Sequence, residues 1–383
     1  MLKFLKKTAA TLLIFVFVLT GASGAPPAAG EPTAGNVSAA FLTEINSGSV
    51  LFEKSAGQKL PAAGLSRLPA LLVICEAFDA SEIGRDALVT VDDKAAKIGG
   101  TTAFLRAGEQ IDAASLLLAA VMINAGDATH ALACAACGSE AAAVERINSR
   151  LAELGVECTY ADICGAGQLF SANELAAIGA ALIKSDTYRG LGTKYYETIR
   201  HNGAGDTELV NPNKLVKQYS GCIGVGTGSS GDAGYCGVFA AQRGDTVMLA
   251  VVLGAANSGE RFSLASALLD NGFSAHKNIR ICSAGERFGT VPVKGSMKTE
   301  VSAEAAEELE LLLSGAGERC KTETELPEYA EAPILAGDVL GRLKVLSSSG
   351  EVIAEVPLAA AEDAPAAGFG DCFSYILRLF LRR

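Results

Sequence analysis

The chain has 383 residues, 49% of them apolar, and a formal net charge of -11. That length exceeds what one small core organises and predicts two domains with peripheral segments. The acidic balance and the lack of a basic stripe exclude nucleic acid as a partner, and three histidines with ten dispersed cysteines give no zinc-ligand cluster, so neither metal nor cofactor is expected.

Lys3, Lys6 and Lys7 precede an apolar run from Leu12 to Leu19 and a small-residue stretch from Gly21 to Ala25. This order predicts a secretory signal over 1–25 with cleavage near Ala25. An uncleaved anchor is the alternative, against which the apolar run falls short of a span. Either way the body of the protein is expected outside the cytoplasm. Residues 26–36, rich in Pro, Ala and Gly, read as a flexible leader.

Two apolar runs, Ala39 to Ile45 and Val50 to Lys54, flank the turn residues Asn46-Ser-Gly48 and predict a hairpin. Leu68, Leu71, Leu72, Cys75 and Phe78 recur at helical spacing. Pro69 favours a helix that starts there, because it cannot donate to the carbonyl of Leu65 and suits a first helical position; Gly64 and Arg67 would then fall in a loop. Helices are expected over Ala113 to Met122, Ala128 to Ala136 and Ala141 to Leu154, and Ser171 with Glu174 forms a capping box before a helix over 171–184. Cys134-Ala-Ala-Cys137 has redox or metal spacing but lies in an alanine-rich apolar run and reads as thiols on a helix face. Gly221 to Gly226, Tyr235 to Arg243 and Thr246 to Gly254 predict an antiparallel meander, in which Cys222 and Cys236 could face each other, bonded or free. A helix over Arg261 to Phe273 follows.

Beyond it, short apolar runs at Phe288 to Lys294, Glu323 to Leu326, Val339 to Val345 and Val352 to Leu358 alternate with Gly, Pro and Ser turns, the signature of a small β-sandwich over 279–361. In the final segment, 368–383, Phe369, Cys372, Phe373, Ile376, Leu377 and Phe380 share one helical face, with Asp371, Ser374, Arg378 and Arg382 opposite. Such segregation suits the surface of an anionic bilayer, through Phe369, Phe373, Ile376, Leu377 and Phe380; docking on the protein itself is the alternative.

Three stretches carry the functional signal: Pro61-Ala-Ala-Gly-Leu-Ser-Arg-Leu68, Asn124-Ala-Gly-Asp-Ala128 and Gly224-Val-Gly-Thr-Gly228. In order and spacing they resemble the Ser-x-x-Lys, Ser-x-Asn and Lys-Thr-Gly motifs of the low-molecular-weight penicillin-binding proteins, the serine D-alanyl-D-alanine carboxypeptidases of peptidase family S11. The resemblance implies an α/β fold: a β-lactamase/transpeptidase-like domain, an antiparallel sheet with a helical cluster, over 37–275, then the β-sandwich that stands it off the membrane and a C-terminal amphipathic helix. It places the chain at the outer face of the cytoplasmic membrane.

The residues at the reacting positions differ from the family pattern. The nucleophile position holds Gly64, the base position Arg67, the second-serine position Asn124 and the third-motif lysine position Gly226; Gly126 replaces the motif amide. Glycine offers no hydroxyl, and arginine cannot be deprotonated to serve as a base. Asp127, Ala128, Thr227 and Gly228 persist, the last two as the remaining substrate-binding candidates. The expected function is a cell-wall protein that binds peptidoglycan stem peptide or a wall protein without hydrolysing D-Ala-D-Ala. A carboxypeptidase using a displaced serine such as Ser66 and a structural envelope protein are the alternatives. The one Ser-x-x-Lys spacing, Ser274 to Lys277, lies at the junction with the β-domain and reads as chance.

Overall fold

The computed structural model describes residues 35–201, 205–314 and 320–381, so the expected leader lies outside it. The chain divides into two compact units. One runs through Ile279 and includes 310–314; the other holds Arg280–Leu309 and 320–381.

The first unit is built on a five-stranded antiparallel sheet. The hairpin β1 (Ala39–Glu44) and β2 (Val50–Lys54) pairs through β1 with the meander β3 (Cys222–Ser230), β4 (Gly234–Arg243) and β5 (Thr246–Ala255), in the order β2-β1-β5-β4-β3. Every residue of β1 is buried, and β5 is nearly so, because helices cover both faces. Alternation sorts the side chains: Ala39, Phe41, Leu249 and Val251 enter one core, while Ala40, Leu42, Met248 and Ala250 enter the other.

The larger core contains α1 (Leu68–Asp79), α2 (Ala113–Ile123), α3 (Gly126–Cys137), α4 (Glu140–Glu153) and α5 (Ala172–Lys184). The smaller one is closed by α6 (Ser258–Ala275) through Leu264, Ala265, Leu268 and Leu269. From Leu68 to Phe78 all of α1 is buried except Glu76, as expected of a central helix that is apolar all round. Helix α5 approaches the sheet at Gly179, where a Cβ would lie 2.9 Å from Val238 Cγ1 and 3.0 Å from Leu249 Cδ1.

Two expectations are corrected. The helix starts at Leu68, one residue early, and Gly64 and Arg67 lie on a 3-10 turn (Ala63–Arg67), not in a loop. Tighter winding needs only the Leu68 amide to reach the Leu65 carbonyl, so the missing N–H of Pro69 costs nothing there. Cys222 and Cys236 do not face each other: Cys222 pairs with Ala241 and Cys236 with Gly228, and the ten cysteines are all free thiols. A hairpin of Tyr196–His201 and Gly205–Val210 was not foreseen; it buries Ile199 and Leu209 alone among its apolar residues, too few for a pattern to stand out.

The second unit is β-rich. Strands β6 (Arg287–Lys294), β7 (Glu300–Ala305), β8 (Lys321–Glu325), β9 (Ala330–Glu331), β10 (Val339–Leu346) and β11 (Val352–Ala360) lie in the order β8-β10-β11-β7-β6-β9. Val291, Ala303, Leu343, Val356 and Leu358 form one core and Val293, Val301, Ile334, Ala360 and Ala364 another. The chain then forms α7 (Phe369–Leu381), on which Phe369, Phe373, Ile376 and Leu377 are all exposed and the Phe369 and Phe373 rings stack. The Phe380 side chain lies outside the described residues.

Candidate functional site

The three stretches converge although the chain runs on for 155 residues, 69–223, between the first and the third. The 3-10 turn packs against edge strand β3 so closely that a Cβ on Gly228 would lie 2.8 Å from the Gly64 amide nitrogen. Asn124 caps α2 in the left-handed conformation (φ 55°), and its amide nitrogen donates to the carbonyl oxygen of Gly64, joining the first two stretches.

Arg67 points into the same junction. Its Nη1 donates to the carbonyls of Asn124 (2.8 Å) and Thr101 (3.5 Å), and its Nη2 to that of Gly99 (3.3 Å). The guanidinium is thus held by main-chain oxygens in the space beside Gly126. A Cβ on Gly126 would lie 3.0 Å from Arg67 Cζ and 2.7 Å from Ile98 Cγ2. The arginine in the first stretch and the glycine in the second are therefore one coupled feature, which reading each motif separately did not reveal. Asp127 is retained for a structural purpose: its buried carboxylate accepts from the amides of Ala103, Leu105 and Ala128 and fixes the strip beside the cleft.

Gly64, Arg67, Asn124, Thr227 and Gly228 line a cavity of about 380 Å³, together with Gly100, Thr101, Ile123, Pro212, Ser229 and Arg261. Gly226 is adjacent on β3 but is not among the lining residues; a Cβ there would make ordinary contacts of 3.7–3.8 Å with Leu68 and Leu65. Arg261 was missed in the sequence, since one arginine in an amphipathic helix reads as a solvated side chain. It reaches from α6 with Nη1 donating to the carbonyls of Cys236 (3.1 Å) and Gly228 (3.3 Å), and Nη2 to Ser258 Oγ (3.3 Å). Its guanidinium lies over the Phe262 ring, and burial pushes its pKa down from the ordinary value. Its Nε and the Oδ1 of Asn124 are buried without a protein partner. Arg261 and Asn124 thus put a cation and a side-chain amide along the cavity lining, groups of a chemistry suited to a carboxylate beside an amide.

The cleft has no serine or lysine at the expected reacting positions. Ser66, the candidate displaced nucleophile, does not line this cavity; its Oγ donates to the carbonyl of Cys164 at 2.8 Å, and Tyr160 Oη donates to the Ser66 carbonyl.

Comparison with known proteins agrees with this architecture. The family model described as D-alanyl-D-alanine carboxypeptidase matches residues 27–257, and that of the penicillin-binding protein 5 C-terminal domain matches 276–366. The chain is 31% identical over 375 residues to the D-alanyl-D-alanine carboxypeptidase DacF of Bacillus subtilis, covering 95% of this chain and 96% of that one. It is 27% identical over 382 residues to DacC of Escherichia coli, covering 96% and 94%. Among solved structures, penicillin-binding protein 5 of Haemophilus influenzae superposes with a TM-score of 0.73 at 23% identity, over 86% of this chain and 97% of the other. The chain belongs to the D-alanyl-D-alanine carboxypeptidase family, peptidase S11.

Proposed function

We propose that this protein is a carboxypeptidase-like protein of the cell wall that holds the ends of peptidoglycan stem peptides, or a wall protein, in its cleft without hydrolysing D-Ala-D-Ala. The observation that carries this reading is the Arg67 guanidinium, bound by the carbonyls of Asn124, Gly99 and Thr101 and opposite a residue, Gly64, that has no side chain. Acyl transfer by a serine needs a hydroxyl and a group to take its proton, and this pair supplies neither. Retention of the cavity, with Thr227, Gly228 and the buried Arg261 along it, supports binding as the remaining activity. The commitment of Ser66 Oγ to the Cys164 carbonyl speaks against a displaced nucleophile.

Export through the 1–25 leader and residence at the outer face of the cytoplasmic membrane belong to the same proposal. Among the described residues no helix is long and apolar enough to cross a membrane, so attachment through the exposed apolar side chains of α7 is the mode proposed. Incubation of the purified protein with a labelled penicillin, followed by intact mass measurement, tests the central claim. No adduct is expected, under conditions that label an active relative to completion; an acyl adduct, or D-alanine released from a stem pentapeptide, would overturn it. Binding is checked separately by titrating the pentapeptide.

A further inference from the structure

A second cavity, of about 500 Å³, lies on the other side of Arg67, lined by Ser66, Lys94, His130, Asp162 and Cys164 among others. Around His130, one of its lining residues, the fold assembles a group that the sequence did not suggest. His130 and Cys134 lie four residues apart on α3 and so share a face, with Cys134 Sγ 3.7 Å from His130 Nε2. Asp92, 38 positions earlier in the chain, brings its Oδ2 to 3.6 Å from the same Nε2. The three ligand atoms all lie within 4.8 Å of one another. We infer that Asp92, His130 and Cys134 form a binding site for a zinc-class divalent transition metal, with a fourth coordination position left to solvent. This revises the expectation of no metal site.

Three features support the assignment. A tetrahedral zinc ion with bonds of about 2.0–2.3 Å separates its ligand atoms by roughly 3.3–3.6 Å. The two spacings to His130 Nε2, 3.6 and 3.7 Å, need at most a few tenths of an ångström of closure, and the remaining Asp92–Cys134 spacing, within 4.8 Å, is to be closed by the half-exposed Asp92 side chain. The donors are oriented in advance. His130 is 2% exposed, and Asp92 is held by its other oxygen, Oδ1, which accepts from the Ala95 amide at 2.6 Å and leaves Oδ2 directed at the histidine. The charges also match, since a carboxylate and a thiolate balance a divalent cation beside a neutral imidazole. The nearby Lys94 ammonium is paired with Glu140. Imidazole with thiolate selects zinc, cobalt or a similar ion over magnesium or calcium, which require oxygen donors. An ordinary His130–Asp92 ion pair is the competing account, and it gives Cys134 no part.

Cobalt(II) distinguishes them, because thiolate ligation produces a near-ultraviolet sulfur-to-metal charge-transfer band and tetrahedral coordination produces intense visible bands. The reduced, chelator-stripped full protein titrated with cobalt(II) is expected to develop both, with one equivalent of zinc abolishing them. Cys134→Ser should remove the charge-transfer band, while Cys137→Ser, three residues further along the helix, should leave it intact. Outer-shell partners of metal ligands are typically worth roughly 10–100-fold in affinity, so loss of a direct ligand in Asp92→Asn should weaken zinc binding by at least about tenfold. Circular dichroism of each variant guards against simple unfolding, and the stripped wild type serves as the folded reference. Absence of a charge-transfer band in the folded wild type, or its persistence in Cys134→Ser, would overturn the assignment. This outcome is independent of penicillin acylation, which reports on the other cavity.

Discussion

At the residue scale, Arg67 and Gly126 form a unit. Because a side chain on residue 126 would enter the space of the Arg67 guanidinium and Ile98, Gly126→Asn alone should destabilise the fold by about 1–3 kcal/mol, as overpacking does. Shortening the neighbour in Arg67→Lys/Gly126→Asn should recover part of that loss, and urea denaturation of the two single variants and the double would measure the coupling. Gly64→Ser alone should remain unlabelled by penicillin, since Arg67 cannot accept the hydroxyl proton; intact mass after incubation checks this. At Arg261 the expected effect is on binding. Replacing this buried cation in Arg261→Gln should weaken a peptide with a free terminal carboxylate by roughly 10- to 150-fold, as expected for loss of a charged hydrogen bond of about 1.5–3 kcal/mol, and should leave its amidated counterpart nearly unchanged in the same titration.

At the scale of elements, the capping box that opens α5 does more than close a helix end. Glu174 Oε2 accepts from the Ser171 amide and hydroxyl, while Oε1 accepts from the Lys59 ammonium at 2.6 Å and the Glu157 amide at 2.9 Å, tying three segments together. Burial alone would raise its pKa; Lys59, Ser171 and Glu157 outweigh burial and hold the carboxyl below its ordinary 4.5. A carboxyl depressed in the folded chain contributes stability that is fully present above the unfolded value and lost as pH falls through the folded one. Wild-type stability should therefore decline below about pH 4.5, and Glu174→Gln should be less stable at neutral pH and show a shallower acid decline in thermal unfolding followed across pH. The Ser171 and Glu174 pair was legible in the sequence because its partners are three residues apart. Lys59 and Glu157 were not, because their role depends on which loops the fold brings to that helix end.

For the whole molecule, each unit has its own core, and the two should respond separately to large-to-small substitutions. Leu72, in α1, and Leu343, in β10, are both fully buried. Leu72→Ala and Leu343→Ala should each cost about 2–5 kcal/mol. The first should promote early proteolysis within 35–279 and the second within 320–381, distinguishable by mass mapping of the first fragments released. A related experiment concerns α7: removing 369–383 should abolish sedimentation with anionic lipid vesicles while leaving peptide binding in the cleft unchanged, the expected result if the exposed Phe369, Phe373, Ile376 and Leu377 are the lipid contact.

The sequence by itself determined the sheet strands, read as apolar runs parted by turn residues, and the helices and the terminal amphipathic segment, read from a local period of 3.6 residues. The β-rich second domain was read from short runs between turns, while the α/β class of the first domain came from the resemblance of its three stretches to the family motifs. The sequence also determined the chemical identity of the substitutions: a glycine has no nucleophile and an arginine no basic lone pair wherever they are folded. Only the tertiary structure decided what occupies the altered site. Arg67 bound to main-chain carbonyls, Arg261 reaching in from α6, and Asp92 beside His130 and Cys134 are all meetings between segments far apart in the chain. No local pattern encodes such contacts, since they arise from how the sheet and helices close their cores.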